Sequence, residues 1–202
     1  MYLIGKIKLP HIFSTPFTNR MNLQKKDLTP KITPDSIPED LTVIRKILFD
    51  NCNFQITQPI PETESSEYGA CRFILNNSNI LFRTAKITPT KTGQFVTLWK
   101  RINQGPIQPF DSTDPIDLFV VSVRKDNHFG LFIFPKSVLI AKEIVSDKKE
   151  GKRAIRVYPP WNITASRQAQ KTQNWQLDYF LEASVNQSID LNRAKSLFLI
   201  KD

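Results

Sequence analysis

The chain has 202 residues, of which 40% are hydrophobic and 23% are charged, as expected for one ordinary globular domain with a tail. No apolar run reaches the roughly 18 residues that a membrane-spanning helix needs, which excludes a transmembrane protein and predicts no membrane partner. Two cysteines and two histidines are too few for a disulfide framework or a Cys/His zinc site. Because the start of the chain also lacks an uninterrupted apolar stretch, we expect a cytoplasmic protein without metal or cofactor.

The positive charge is distributed unevenly along the chain. Lys and Arg number 28 against 19 Asp and Glu, which gives a net charge of +9. Residues 68–110 contain six basic residues and no acid, and residues 151–177 contain five basic residues and no acid. Together these segments hold more positive charge than the net excess of the whole chain. This separation favours one basic face that binds a polyanion over charges that point to water in every direction.

The chain divides into three predicted parts, which are a basic arm, one globular domain and a short C-terminal helix or tail: residues 1–35, 36–186 and 187–202. Prolines interrupt the arm and prevent any long regular element there. The first predicted helix covers residues 38–50. Pro38 suits a first helical turn, and Glu39 and Asp40 place negative charge at the positive end of the helix dipole.

The rest of the chain reads as short strands followed by helices. Strands are predicted over residues 68–75, 80–87, 94–101, 117–123, 129–134 and 154–158. Helices are predicted over residues 136–145, 166–181 and 190–199. Strands 117–123 and 129–134 are apolar on both faces, as central strands are when other layers cover them. This order predicts an α+β, or mixed α/β, fold with a central mixed sheet flanked by helices.

The two acid-free segments supply the candidate binding residues. Cations neutralise phosphates and exposed rings stack on unpaired bases, so this mixture suits single-stranded DNA or RNA better than duplex. The predicted nucleic-acid contacts are Arg83, Lys86, Lys91, Lys100, Arg101, Lys152, Arg153, Arg156, Lys171, Trp99 and Trp161. Trp175 is a third tryptophan in a position to stack.

The acids and the core histidine offer little catalytic pattern. The acids of the Pro-, Ser- and Thr-rich loop 59–67 are predicted to form a solvated edge. Asp111 and Asp114 are predicted turn and cap residues, and His128 a hydrogen-bonded turn residue rather than a general base. Asp117, at the start of a buried strand, is the one carboxylate placed to be a magnesium ligand.

Four longer strings are far more specific than any short catalytic pattern. They are residues 85–96 (AKITPTKTGQFV), 128–136 (HFGLFIFPK), 151–159 (GKRAIRVYP) and 171–176 (KTQNWQ). In sequence and in order they resemble the MepB-like family of bacteria, over about residues 36–182. The resemblance implies a scaffold like that of the PD-(D/E)XK restriction endonucleases. It also implies nucleic-acid binding without the usual catalytic carboxylates, and a link to drug-resistance operons or stress response.

The endonuclease motif itself is incomplete in this sequence. It requires an aspartate on one strand and an acid two positions before a lysine on the next. Here Lys86 is kept but Thr84 stands in the place of the acid, and a neutral threonine does not hold Mg²⁺ as a carboxylate does. The leading interpretation is therefore a nucleic-acid-binding module without catalysis. The alternatives are a metal-dependent nuclease or ribonuclease that uses Lys86 with Asp117 or Glu67, and a protein-interaction module with an acidic partner.

Overall fold

A six-stranded sheet forms the centre of the fold, in a computed structural model that describes residues 37–184 and 188–199. The arm predicted over residues 1–35 lies outside the described residues. The strands of the central sheet are β1 (Ile60–Pro61), β2 (Cys71–Leu75), β3 (Ser78–Thr84), β8 (Leu118–Lys125), β9 (His128–Pro135) and β11 (Phe180–Glu182). Their order across the sheet is β1-β2-β3-β8-β9-β11. Strands β3 and β8 run parallel and the other neighbours antiparallel, so the sheet is mixed.

The other strands of the described residues form two smaller sheets. The strands β4 (Lys86–Thr88), β5 (Lys91–Thr97) and β10 (Ala154–Val157) form a three-stranded sheet in the order β10-β5-β4. The strands β6 (Trp99–Arg101) and β7 (Ile107–Pro109) form a hairpin. The single strand predicted over residues 80–87 is in fact divided at Ala85, whose N–H donates to the carbonyl of Ser122 at 2.9 Å. The chain passes from the central sheet to the small sheet at this residue.

Within the described residues, four helices that contain α-helical turns pack around the sheets, besides a short 3-10 helix at Ser66–Tyr68. Helix α1 is α-helical over Glu39–Ile44, has a π-helical segment over Arg45–Phe49 and ends over Asp50–Cys52. The others are α2 (Lys136–Ala141), α3 (Arg167–Leu177) and α4 (Leu191–Phe198). Helix α3 begins where Ser166 Oγ accepts a hydrogen bond from the N–H of Ala169 at 3.1 Å, as an N-cap residue does. The helix predicted over residues 166–181 is shorter than expected, because its last residues pair with β9 as β11.

Hydrophobic layers cover both faces of the central sheet. On one face, β-strand residues such as Val120 pack against Leu48 of α1 and Phe198 of α4. On the other face, Val121 packs in a second cluster with Val96 of the small sheet and Leu139 of α2. The prediction of an α+β fold with a central mixed sheet flanked by helices is confirmed. Among the described residues, no helix is both long enough and apolar enough to cross a membrane.

Candidate nucleic-acid interface

Arg83 lies in the interior of the protein. The residue is 1% exposed, and its Nη2 lies 2.5 Å from Oε2 of Glu62. Arg72 Nε holds the other carboxylate oxygen of Glu62 at 2.5 Å. Burial lowers the pKa of the Arg83 guanidinium, and the charge of Glu62 opposes that shift. The prediction that Arg83 contacts nucleic acid is therefore wrong, because a ligand does not reach this side chain, and Glu62 is an internal ion-pair partner rather than part of a solvated edge.

Lys100 is also withdrawn from solvent. Its Nζ lies 2.5 Å from Asp111 Oδ2 and 2.7 Å from Asp114 Oδ2, and its side chain is 15% exposed. The hydrogen bond from Lys100, followed by one from Thr113, lowers the pKa of the Asp111 carboxyl to about 2. Lys100 therefore fixes the turn at residues 111–114, and its charge is already matched by two carboxylates.

Two further predicted cations are paired with acids closer to the surface. Arg101 Nε lies 2.7 Å from Glu64 Oε1, and its guanidinium carbon lies 5.6 Å from the ring centre of Trp99. Arg153 Nη2 lies 2.8 Å from Glu150 Oε1. These pairs place a carboxylate beside each cation and reduce its attraction for phosphate.

Lys86 begins the small sheet at the position of the motif lysine. Its Nζ lies 3.2 Å from Glu67 Oε2 and 4.5 Å from the ring centre of Tyr68. Lys86 therefore lies beside Glu67, one of the two acids that the nuclease alternative considers. The pair is exposed, with side-chain exposures of 43% and 69%.

Asp117 lies at the opposite end of the central strands from Lys86. It accepts hydrogen bonds from the backbone N–H and from Nδ2 of Asn79, at 2.6 and 3.0 Å. At the other end of the same strand pair, Thr84 lies opposite Ser122 and its Oγ1 accepts a hydrogen bond from the Ser122 hydroxyl at 3.1 Å. The strand between Asn79 and Thr84 separates the two ends by roughly 16 Å. The alternative in which Lys86 acts with Asp117 is therefore wrong.

The small sheet brings the two acid-free segments together. In the middle of β5, Phe95 lies opposite Lys86 of β4 on one side and opposite Arg156 of β10 on the other. Arg156 Nη1 donates to the carbonyl of Gly93 at 3.0 Å, and its Nη2 donates to Thr88 Oγ1 at 2.8 Å. Within the described part of the chain, Arg156 has no carboxylate partner, so its charge is not neutralised.

A cleft of about 480 Å³, here called the helix cleft, lies between β10 and α3. Three cations line it, Lys142, Lys152 and Arg156, with the rings of Tyr158 and Trp175. Lys142 Nζ lies 5.4 Å from the ring centre of Trp175. Among the residues described, neither Asp nor Glu lines this cleft.

A second cleft of about 410 Å³, here called the hairpin cleft, lies beside the turn between β4 and β5. The end of β8 and the loop 161–163 form its other walls. Lys91 and Lys125 line it, again with no acid from the described residues. Trp161 lies in its wall, and the ring of His128 stacks on Trp161 at a centroid distance of 5.0 Å and an angle of 15°. His128 is thus an exposed stacking residue at the start of β9.

Gly93 and Arg156 connect the two clefts. Gly93 lines the hairpin cleft and has a φ of +83°, which favours glycine. The ring of Tyr158, which lines the helix cleft, packs so closely on Gly93 that a Cβ there would lie 2.6 Å from the ring. The clefts therefore adjoin, and among the described residues their walls hold five cations and no carboxylate.

The structure also separates the remaining candidates. Trp99 and Lys171 line neither cleft. Lys125 and Lys142 do line the clefts, although the sequence pattern does not predict them as contacts. Each of these two lysines lies outside the acid-free segments and is followed directly by an acid, Asp126 or Glu143, so a count of charge along the chain does not single them out.

The fold and the two clefts define a small α+β domain with two basic clefts, whose described lining residues include no carboxylate. A sequence model of the MepB-like family matches residues 62–182, more than half of the chain, and the chain belongs to this family. All five cleft cations lie within the matched residues. The family predicted from the four strings is confirmed.

Two solved structures are also similar to this chain. A crystal structure of MepB is 29% identical and superposes with a TM-score of 0.64, over 74% of this chain and 99% of that chain. A bacterial homing endonuclease superposes with a TM-score of 0.40 at 16% identity, over 68% of this chain and 86% of that chain. That second likeness is too distant to carry an argument, so the endonuclease-like scaffold stays a prediction. No curated protein matches the chain.

Proposed function

We propose that this domain binds nucleic acid along the helix cleft and the hairpin cleft. The observation that carries the proposal is that five cations, Lys91, Lys125, Lys142, Lys152 and Arg156, line adjoining clefts whose described walls contain no acid. A phosphate backbone gains most from such charges, because each contact releases counterions from the nucleic acid. By contrast, the predicted cations Lys100, Arg101 and Arg153 are each paired with a carboxylate.

Single-stranded DNA or RNA is the preferred ligand in this proposal. Half-buried aromatic rings lie in both clefts: Tyr158 and Trp175 in the helix cleft and Trp161 in the hairpin cleft. Unpaired bases stack on such rings, whereas the bases of a duplex are already stacked on each other. The walls also supply amide and hydroxyl groups, including Gln168 and Thr172, which hydrogen-bond to sugars and bases.

Catalysis is not part of the proposal. The motif position of the acid is occupied by Thr84, whose hydroxyl accepts a hydrogen bond from Ser122. Lys86 has only Glu67 as an acidic partner among the described residues, and Asp117 is held at the far end of β3 by Asn79. The proposal includes a cytoplasmic location, which composition supports. It also includes a link to drug or stress response, which the family resemblance supports.

A binding comparison tests the proposal. Fluorescence anisotropy with labelled single-stranded RNA, single-stranded DNA and duplex DNA of equal length, at one salt concentration, is expected to show tighter binding of the single strands. The same probes incubated with Mg²⁺, Mn²⁺ or EDTA are expected to stay intact. Tighter binding of the duplex would contradict the stacking argument, and metal-dependent cleavage lost in Lys86→Ala would establish the nuclease. Binding of an acidic protein with no affinity for any nucleic acid would favour the protein-interaction module.

A further inference from the structure

Two of the cations that line the helix cleft lie at its end away from the hairpin cleft. Ala154, the first residue of β10, lies opposite Thr97, the last residue of β5. The start of β10 is therefore away from the junction of the two clefts, and Lys152 comes just before that start. The backbone N–H of Lys152 donates to the carbonyl of Ile144 at 2.9 Å. This hydrogen bond brings the segment that carries Lys142 to the same end of the cleft.

The acids of the same segment are engaged by other residues. Glu143 and Glu150 form ion pairs of 2.5 and 2.8 Å with exposed cations that do not line the helix cleft. Asp147 accepts a hydrogen bond from a serine hydroxyl at 3.0 Å. Among the described residues, neither Lys142 nor Lys152 has an ion-pair partner. The far end of the cleft therefore keeps two positive charges that no described carboxylate pairs with.

The rest of the lining suits the other parts of one nucleotide. The half-buried rings of Tyr158 and Trp175 line the cleft, and unpaired bases stack on such rings. Gln168 lies exposed on α3 in the same lining, and its side-chain amide can donate to a phosphate or sugar oxygen. A cleft of about 480 Å³ has the size of sites that hold one small molecule, so it accommodates about one nucleotide.

The charge of this cleft exceeds the charge that an internal nucleotide brings to it. The lining holds three cations and no acid among the described residues, whereas each phosphodiester of a strand carries a single negative charge. A terminal phosphomonoester carries about 1.5 to 2 negative charges at pH 7, with three oxygens that accept hydrogen bonds. The cleft therefore matches a chain end better than the middle of a strand.

We infer that the helix cleft binds the phosphomonoester at a phosphorylated end of a single strand. Lys142 and Lys152 contact the terminal phosphate, and the strand continues past Arg156 into the adjoining hairpin cleft. This inference rests on the proposed function and deepens it, because it gives the two clefts different tasks. A free mononucleotide presents the same phosphomonoester, and a competition experiment distinguishes the two sources.

The test uses single strands of one sequence that end in a hydroxyl, a phosphate or a methyl phosphate, at either the 5′ or the 3′ end. With the parent protein, a phosphate at one of the two ends is expected to tighten binding about tenfold over the hydroxyl, which is the contribution of one hydrogen bond to a charged group. The methyl phosphate carries only one charge and is expected to lose most of that gain.

Substitutions then locate the gain within the helix cleft. In the double variant Lys142→Ala, Lys152→Ala, the ratio between phosphate and hydroxyl strands is expected to fall close to one. Lys91→Ala, which removes a cation of the hairpin cleft, is the matched control. It should weaken the binding of both strands and keep the tenfold ratio. Circular dichroism of each variant confirms that the fold is intact.

The outcomes separate this inference from the proposed function. If the phosphate and hydroxyl strands bind the parent equally at both ends, or if the double variant keeps the ratio, the phosphomonoester site is wrong while nucleic-acid binding stands. If the methyl phosphate binds as tightly as the phosphate, the second charge is not recognised and the inference also fails. If no strand binds at low salt, the proposed function fails and the inference with it. A free nucleoside monophosphate that competes as well as the phosphorylated strand would replace the strand as the ligand, and much weaker competition would support the strand.

Discussion

The guanidinium of Arg156 donates a hydrogen bond to the carbonyl oxygen of Gly93 at 3.0 Å. This contact ties the edge strand β10 to its neighbour β5 at the point where the two clefts meet. The hydrogen bonds of Arg156 thereby stabilise the fold, while its positive charge is available to attract phosphate in the cleft. The two contributions can be separated by substitution.

Arg156→Lys keeps the charge but loses the fork of hydrogen bonds to Gly93 and Thr88, because an ammonium group cannot reproduce the planar guanidinium. We expect the free energy of unfolding to fall by about 1–2 kcal/mol, with little change in the salt dependence of nucleic-acid affinity. Urea denaturation followed by fluorescence measures the first quantity. The exposed Arg167→Lys is the control and should be neutral. An Arg156→Lys variant as stable as the parent would show that these hydrogen bonds contribute nothing.

Glu67 is expected to weaken binding, because it neutralises Lys86 at 3.2 Å. Glu67→Gln frees the lysine from its carboxylate partner, so we expect affinity for single strands to rise, by up to about fivefold. Lys86→Ala should lower affinity less than Lys91→Ala does, since Lys91 has no acidic partner in the described residues. A loss for Lys86→Ala as large as that for Lys91→Ala would contradict this ranking. Anisotropy titrations at one salt concentration provide both values.

The ion pair between Arg83 and Glu62 is predicted to stabilise the fold without affecting the ligand. Glu62→Gln leaves a guanidinium that is 1% exposed without its charged partner, and the expected cost is about 3–5 kcal/mol of unfolding free energy. Arg83→Met combined with Glu62→Gln should recover part of that loss, because no unpaired charge remains in the interior. Equal stability of the single and double variants would argue against a buried ion pair. Lys149→Met, which removes an exposed pair with Glu143, is the control and should change stability little.

Lys100 and Asp111 predict a specific pH dependence of stability. The hydrogen bond from Lys100 holds the pKa of Asp111 at about 2 in the folded protein, against an ordinary value of 3.8. A carboxyl with a lowered folded pKa stabilises the protein above its unfolded pKa and loses that contribution as the pH falls through the folded value. Lys100→Met should therefore cost roughly 1 kcal/mol at pH 7, after allowance for solvent screening. The difference from the parent should shrink as the pH falls below about 4 and be lost only below about pH 2, and a difference that persists there undiminished would refute the assignment.

The sequence predicts the layers of the fold. It does not predict which charged residues form internal ion pairs and which line the clefts. Strands such as β8 and β9 are apolar on both faces, and that pattern is enough to place them at the centre of a sheet. The division at Ala85 was not predictable, because β3 and β4 are continuous in sequence and separate only where the chain changes sheets. The burial of Arg83 depends on Glu62, which lies on a loop that looked solvated. Pairings of this kind arise from tertiary structure and leave no periodic signal in the chain.

The sequence indicates only some of the cations that line the two clefts. Lys91, Lys152 and Arg156 lie in the acid-free segments and were found. A count of charge along the chain does not single out Lys125 and Lys142, because an acid follows each of them directly. In the structure these acids, Asp126 and Glu143, line neither the hairpin cleft nor the helix cleft. Acids and bases that are neighbours in sequence thus lie on different surfaces of the fold, and only the structure shows which cations lack a carboxylate partner among the described residues.

The salt dependence of single-strand affinity tests the central claim most directly. Each phosphate contact adds about 0.7 to the slope of log affinity against log salt for single strands. Replacing Lys91 and Lys152 together by Ala should therefore reduce the slope by about 1.4 relative to the parent. Lys46→Ala, an exposed lysine of α1 on the other layer of the domain, should leave the slope unchanged. A double variant that keeps the parent slope, or a parent whose affinity does not depend on salt, would contradict binding along the two clefts.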